Sequence, residues 1–436
     1  MSQIADLRAG AKAAYANEQF EEAAQIYGVL WTSETKPDKW DGWNYARSLR
    51  KLRRTQEALD VCRAVYKLDD SFQYIKNEYG WCIYQLHVGL TDDQIRLTED
   101  EFFRAAEAIV TLCQQDTYSP YEKTIFRVLK YLKPQKKRTS IAKKMLVWID
   151  KLDPEKLSTD AETFEHETET EEGASPREKW YMYRSSALFE LGDYQACIQT
   201  CQLALESLEK LHYGNQHWFQ MRIANSYGHL GDISRAIDEL MTLARRKSEW
   251  FIYVDLAYWS YKSNALDDAF SYAVKAAQGH RSHDKLENKW ELFLLMGQIL
   301  STQGRIERAA RHVKLAFQLR SERGWGISGE LASMVRELAI DTHELPASSV
   351  LFRELQAEWA EDGPRLNGKI LTIKEDKNFG SILGDDGNKY HFKFRDFRGS
   401  RHSLREGASI SYQIQDSFDQ KKNQPSTIAV DVRLAW

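Results

Sequence analysis

Four small residues fix the phase of the middle of this chain: Cys197, Ala236, Ala269 and Ala309, spaced by 39, 33 and 40 positions. Self-similarity at a period of roughly 34 residues marks an array of helix pairs, because one pair buries its apolar face only by stacking on the next. Leu-Gly-Asp recurs at 191–193 and 230–232 as the turn inside a pair. The same grammar reaches back toward the N-terminus. Ala11, Ala14, Phe20, Ala23, Tyr27 and Leu30 mark a first pair closed by Pro37, and Trp43, Ala46, Leu49, Ala58, Cys62 and Val65 a second. A third is blurred: Tyr79 and Gly80 open a helix, Ala106 and Cys113 lie on its partner, and a loop is expected near 90–98. Ala142, Leu146, Ile149 and Pro154 phase the fourth.

These residues resemble tetratricopeptide repeats over most of residues 1–325, with several units longer than usual. The resemblance implies a right-handed solenoid whose first helices line a concave groove for a peptide or folded protein. Its phasing turns Trp43, Arg47 and Arg50 inward near one end, and Asn225, Tyr258 and Tyr261 inward further along. Aromatic and Arg anchors dominate protein interfaces energetically. The basic-plus-Asn clamp that some related repeats use for a C-terminal carboxylate is not evident, so such a peptide is not expected.

One segment interrupts the array. From about 157 to 176 the chain carries Asp160, Glu162, Glu165, Glu167, Glu169, Glu171 and Glu172 with no Lys or Arg. Such a stretch lacks apolar surface to bury and reads as a solvated loop. Just before it, Lys130, Lys133, Lys136, Lys137, Arg138, Lys143 and Lys144 form the most basic part of the body, which reads first as a solvated helix-pair surface and otherwise as a second polyanion contact that the acidic loop would screen. Residues 326–363 read as two capping helices, 328–340 and 348–361, split by Pro346, then a linker.

The remainder, 364–436, changes period from 3.6 to 2. Gly368–Ile373, Lys377–Ile382 and Lys389–Phe394 are short β-branched or aromatic runs separated by turn residues, including Asp385-Asp386-Gly387-Asn388. That is hairpin patterning. Residues 408–415 and 426–434 alternate as two further strands. From Arg365 onward thirteen Lys and Arg face nine Asp and Glu, a balance of +4 that leaves −8 for the rest of a chain whose net charge is −4. An acidic body with a basic end points that end at polyanions. In the third run Tyr390, Phe392 and Phe394 alternate with His391, Lys393 and Arg395. Aromatic rings beside cations suit single-stranded nucleic acid, whose bases stack and whose phosphates attract positive charge.

Here the chain resembles a cold-shock domain over roughly that domain's full length. Gly368-Lys369-Ile370 matches the opening strand, Lys377-Asn-Phe-Gly-Ser-Ile382 the first ribonucleoprotein motif and Tyr390-His-Phe-Lys-Phe394 the second. Leu404-x-Glu-Gly407 and Gln424-Pro425 stand where that family has comparable turn residues. The resemblance implies an OB-type barrel with Phe379, His391 and Phe394 stacking bases and Lys369, Lys377, Lys393, Arg395 and Arg398 neutralising phosphate. Thr372-Ile373, Ser381 and Lys393 depart from the family's aromatic positions, so fewer stackers and more cations make binding salt-sensitive.

Enzyme signals are weak. Gly363-Pro-Arg-Leu-Asn-Gly368-Lys369 spells a phosphate loop, but Ile370 replaces the hydroxyl residue and the segment leads into a strand. His280, His283 and Asp284 lack a fourth metal ligand, and Cys197 and Cys201 occupy packing positions of their repeat. Five cysteines without Cys-x-x-Cys spacing argue against a disulfide framework and for a reducing compartment. Lys12 interrupts any leader-like apolar segment, and the apolar run at Leu292–Leu300 is too short to span a bilayer. The chain is therefore expected to be mostly α: a tetratricopeptide-like α-solenoid followed by a small five-stranded antiparallel β-barrel of the cold-shock type. The expected role is a non-enzymatic cytoplasmic adaptor without cofactor or metal, away from membranes. The barrel would take single-stranded RNA (single-stranded DNA being the other candidate) and the groove a protein. The alternative is a protein-complex scaffold whose barrel binds no nucleic acid.

Overall fold

The computed structural model describes residues 2–33, 37–135, 139–165, 170–247, 249–279, 286–327, 329–362, 365–419 and 424–435. Two units divide the chain, Met1–Arg222 and Ile223–Trp436. The first is a run of antiparallel helix pairs. It contains α1 (Ser2–Ala16) with α2 (Phe20–Ser33), and α3 (Lys39–Lys51) with α4 (Thr55–Leu68). Then α5 (Gln73–Ile83), a π-helical turn at Tyr84–Val88 and a short α6 (Asp92–Leu97) lead to α7 (Glu99–Leu112). The pair α8 (Tyr121–Leu132) and α9 (Thr139–Ile149) precedes a hairpin of β1 (Glu162–Glu165) and β2 (Thr170–Gly173). The unit closes with α10 (Pro176–Leu191), α11 (Tyr194–Ser207) and the start of α12 (Asn215–His229).

The second unit continues the pairing through α13 (Ile233–Arg246), α14 (Trp250–Lys262), α15 (Leu266–Gln278), α16 (Trp290–Thr302) and α17 (Ile306–Ser321). Next come α18 (Gly329–Glu337) and α19 (Ser348–Asp362). Cys197, Ala236, Ala269 and Ala309 are all fully buried. A small side chain at each of these points lets neighbouring helices close on one another. The Leu-Gly-Asp turns work by two local devices. Gly192 ends α10 in the left-handed region at φ 78, and the Asp193 carboxylate accepts from the Ala196 N–H to open α11. Gly231 (φ 96) and Asp232, accepting from the Arg235 N–H, repeat the arrangement. Glycine adopts that φ freely and Asp is a strong N-cap, so three residues stop one helix and start the next.

Three expectations are corrected. The loop expected at 90–98 contains α6, nucleated by a reciprocal capping box between Thr91 and Gln94. The acidic stretch is not a featureless solvated loop, since it pairs as β1 and β2. Their register sets Glu162 opposite Gly173, Thr163 opposite Glu172, Phe164 opposite Glu171 and Glu165 opposite Thr170. No carboxylate faces another across the ladder, which removes the repulsion that acidic composition suggests. Glu162 pairs with Lys179 and Glu172 with Lys210, rather than with the Lys130–Lys144 surface. Lys136, Lys137, Arg138, Glu167 and Glu169 lie outside the described residues.

The third correction concerns the barrel. Strands β3 (Leu366–Lys374), β4 (Phe379–Gly384), β5 (Lys389–Lys393), β6 (Ser409–Asp419) and β7 (Gln424–Leu434) close in the order β3-β4-β5-β7-β6. A closed ring with an odd number of strands cannot alternate direction throughout. The unavoidable parallel seam falls between β5 and β7, at His391–Ile428, with Phe397–Val432 beyond it. The barrel is therefore mixed, not wholly antiparallel. Ile370, Ile382, Tyr390, Phe392, Ile410, Tyr412 and Val432 fill it. Gly380 is required by this packing, since a Cβ there would stand 2.5 Å from the Phe392 ring.

Candidate nucleic-acid interface

Alternation inside the barrel dictates what stands outside it. With Ile370, Ile382, Tyr390 and Phe392 buried, the alternating neighbours Lys369, Leu383, Lys389, His391 and Lys393 are exposed, while Ser381 in their midst is itself buried. The strand registers set these neighbours into three rows. Lys369 lies opposite Leu383 and Leu383 opposite Lys389; Thr372 opposite Ser381 and Ser381 opposite His391; Lys374 opposite Phe379 and Phe379 opposite Lys393. Four lysines thus hold the corners of a patch about 14 Å by 10 Å from strand rise and spacing. Phe379 and His391 meet edge to face at 6.1 Å, and Lys374 Nζ sits 5.6 Å from the Phe379 ring centroid. Thr372 and Ser381 share a 2.6 Å hydroxyl contact in the middle row.

Of the residues expected to bind nucleic acid, Lys369, Phe379, His391 and Lys393 come together on this face. Lys377 and Arg395 are exposed in the short 3-10 turns Glu375–Lys377 and Phe394–Asp396. Two others are engaged within the barrel. Phe394 packs on the barrel core with Arg401 5.3 Å over its ring, because it keeps the inward parity of Tyr390 and Phe392. Arg398 is bound to the buried Asp431 carboxylate at 3.0 Å, which also holds Arg365 and Arg433. Lys374 and Lys389 join the face without having been expected there. Lys389 shares the parity of His391 and Lys393, so the sequence carried that signal. Lys374 reaches the face only because a bulge between Ile370 and Thr372 shifts the alternation of β3.

The residues expected in the groove fall in both units. In the first, Arg47 lies 4.5 Å over Tyr15 and 5.0 Å over Trp43, whereas Arg50 is committed to the nearly buried Glu78. In the second, Asn225 donates to Asp255 at 2.7 Å and accepts from Trp259 Nε1 at 2.6 Å. Burial pushes the Asp255 carboxyl up to about 6, only partly offset by the Asn225 hydrogen bond. Tyr258 lies edge-on to Trp259 with Lys262 5.3 Å from its ring, and the Tyr261 hydroxyl approaches Thr302 Oγ1 at 3.4 Å.

His280, His283, Asp284, Gly363 and Pro364 lie outside the described residues. Among the described residues no group of three His, Cys, Asp or Glu side chains is placed to hold a metal ion, and no helix is long and apolar enough to cross a membrane.

The chain is a tetratricopeptide-like α-solenoid followed by a closed five-stranded mixed barrel, and solved structures similar to it include proteins of that solenoid class. A tetratricopeptide repeat protein from Parabacteroides merdae matches with 13% identity and a TM-score of 0.30, over 78% of this chain and 100% of its own. Human IFIT1, as a dimer with m7Gppp-AAAA, matches with 12% identity and a TM-score of 0.37, over 80% of this chain and 73% of its own. The Naa15/Naa10 assembly bound to HypK-THB matches with 13% identity and a TM-score of 0.39, over 83% of this chain and 52% of that one. No family model matches the sequence, and no curated protein does.

Proposed function

We propose that the protein is a non-enzymatic, cytoplasmic RNA-binding adaptor. Its barrel, of the cold-shock OB type, holds single-stranded RNA, and its repeats engage a protein. The observation that carries this reading is the outer face of β3, β4 and β5, where four lysines frame Phe379 and His391. Rings offer every base a stacking surface, and lysines at the margins meet phosphates without demanding sequence. The strand order and the basic balance of residues 365–436 support it further. RNA over DNA rests on the family resemblance of the strand motifs alone.

Stacking contributes about 1–3 kcal/mol per base, so Phe379→Ala with His391→Ala is expected to weaken binding of a labelled oligouridylate tenfold or more. Fluorescence anisotropy measures this, with circular dichroism unchanged because both rings lie outside the core. Equal affinity in the double variant would remove the face from consideration and favour a scaffold whose barrel binds no nucleic acid.

A further inference from the structure

The first unit presents a second arrangement of rings and cations that the barrel reading does not use. It lies on the first helix of each successive pair. On α3, Arg47 is sandwiched near Tyr15 of α1 and Trp43 of its own helix. On α8, Lys123 Nζ is 5.7 Å from both Trp81 and Tyr84, which themselves meet at 5.6 Å. Also on α8, Phe126 lies 6.3 Å from Tyr183 of α10, and Lys133, in the 3-10 turn that follows α8, is 6.0 Å from that same ring. Residues 123, 126, 130 and 133 are spaced by 3, 4 and 3, so Lys130 shares this face of α8.

Charge separates these cations from their neighbours. Arg50 is bound to Glu78 and Arg127 to Asp92. Arg47, Lys123, Lys130 and Lys133 make no ion pair with any described carboxylate, and the three lysines are exposed. Glu122, the acidic residue beside Lys123, is half-buried. Exposed lysines gathered on α8 and the turn that follows it, with Arg47 on α3, among half-buried Tyr, Trp and Phe rings of neighbouring helices match a polymer that alternates anionic groups with flat apolar ones. An acidic peptide would satisfy the cations and leave the rings without flat partners. A single nucleic-acid strand satisfies both.

We propose that this first-helix face is a second site for single-stranded nucleic acid, distinct from the barrel, in which Tyr and Trp rings stack bases while Arg47, Lys123, Lys130 and Lys133 meet phosphates. The site goes beyond the function proposed above, which puts the strand on the barrel alone and leaves the repeats to a protein. Under this assignment the protein partner belongs to the repeats of the second unit.

The test uses the full chain and a labelled oligouridylate, with anisotropy read across a salt series. Lys374→Ala/Lys389→Ala/Lys393→Ala silences the barrel face, and its own loss of affinity tests the earlier proposal separately. In that background the protein is expected to retain binding. Adding Lys123→Ala/Lys130→Ala/Lys133→Ala should lower affinity about tenfold or more at low salt and reduce the salt slope by about 2, at ~0.7 for each phosphate of a single strand that is no longer neutralised. All six lysines are exposed, so folding should survive. A ring variant, Tyr183→Leu, should weaken binding several-fold without altering the slope. An unchanged slope after removal of Lys123, Lys130 and Lys133 would overturn the proposal. So would efficient displacement by polyglutamate together with indifference to Tyr183→Leu, which would assign the face to an acidic protein.

Discussion

Asp431 shows how much one residue can hold in place. It sits on β7 with φ 47, a left-handed conformation that a residue with a Cβ adopts at a cost, and it is 4% exposed. Its carboxylate binds Arg365, Arg398 and Arg433, while its carbonyl accepts from Arg365 Nη2 at 2.7 Å. Arg365 leads into β3 and Arg398 follows β5, so the single buried anion ties both to β7. Asp431→Ala would leave three guanidinium groups crowded around a vacancy. The three arginine side chains are 23%, 57% and 40% exposed, so water takes over part of the lost contact, and the cost is about 1–3 kcal/mol, seen as a lower melting midpoint of the barrel in thermal denaturation. Asp431→Asn, which keeps the acceptor oxygen and loses the charge, should fall between the two. A midpoint unmoved by Asp431→Ala would show that the cluster does not stabilise the barrel. None of this was legible in the sequence, where Arg365 and Asp431 are 66 positions apart and Arg398 read as one more free cation.

At the scale of the element, helix α19 seals α17 through Leu351, Phe352, Leu355 and Trp359. At the centre of that interface His312 is fully buried and doubly bonded. Its Nδ1–H donates to the Arg308 carbonyl at 2.8 Å, and its Nε2 accepts from Trp359 Nε1–H at 3.0 Å. Accepting from the indole requires the neutral ring, and burial depresses the His312 pKa to about 4. The charged groups around it are Arg308 and Arg311 on its own helix and Glu358 on α19. The unfolded chain binds this proton near pH 6.5 and the folded one only near 4, so the fold binds fewer protons between those values. Stability is therefore full above about 6.5 and is lost as pH falls toward 4, by on the order of 3 kcal/mol. Hydrogen exchange of residues 348–359 should accelerate as pH falls from 6.5 to 4, after correction for the intrinsic rate. His312→Phe should abolish that acceleration, and persistence of it in the variant would place the titrating group elsewhere. Helix phase, caps and turn residues are readable in the sequence, because each is encoded within four positions. The capping box of α6 is equally local, and Thr91 with Gln94 carried its signal. The ion pairs that tie the β1–β2 hairpin down, Glu162 with Lys179 and Glu172 with Lys210, were not readable, because they join residues far apart in the sequence.

At the scale of the whole molecule, both periods are local, 3.6 in the repeats and 2 in the barrel, so the fold class was legible in the sequence. The face that the barrel presents was only half legible. Lys369, Phe379, His391 and Lys393 follow from parity, whereas Lys374 depends on a bulge and Arg398 on a distant carboxylate. Composition also divides the chain, with −8 before Arg365 and +4 from it onward. The energetic division follows from the cores. Helix repeats are stabilised mainly by nearest neighbours, as in the cluster of Ala46, Leu49, Ala58, Cys62 and Val65. The barrel's buried cluster, from Ile370 to Val432, draws only on barrel residues among those described. Urea denaturation should therefore show two transitions. The barrel, with about 70 residues, should have the smaller denaturant dependence, since that slope scales with the surface exposed. Asp431→Ala should move the barrel transition alone, and acidification through His312 should move the repeat transition alone. Far-ultraviolet dichroism at a helix band follows the second, and an environment-sensitive dye placed at Leu383 on the barrel's outer face follows the first. A single midpoint displaced equally by both perturbations would mean that repeats and barrel unfold as one cooperative body.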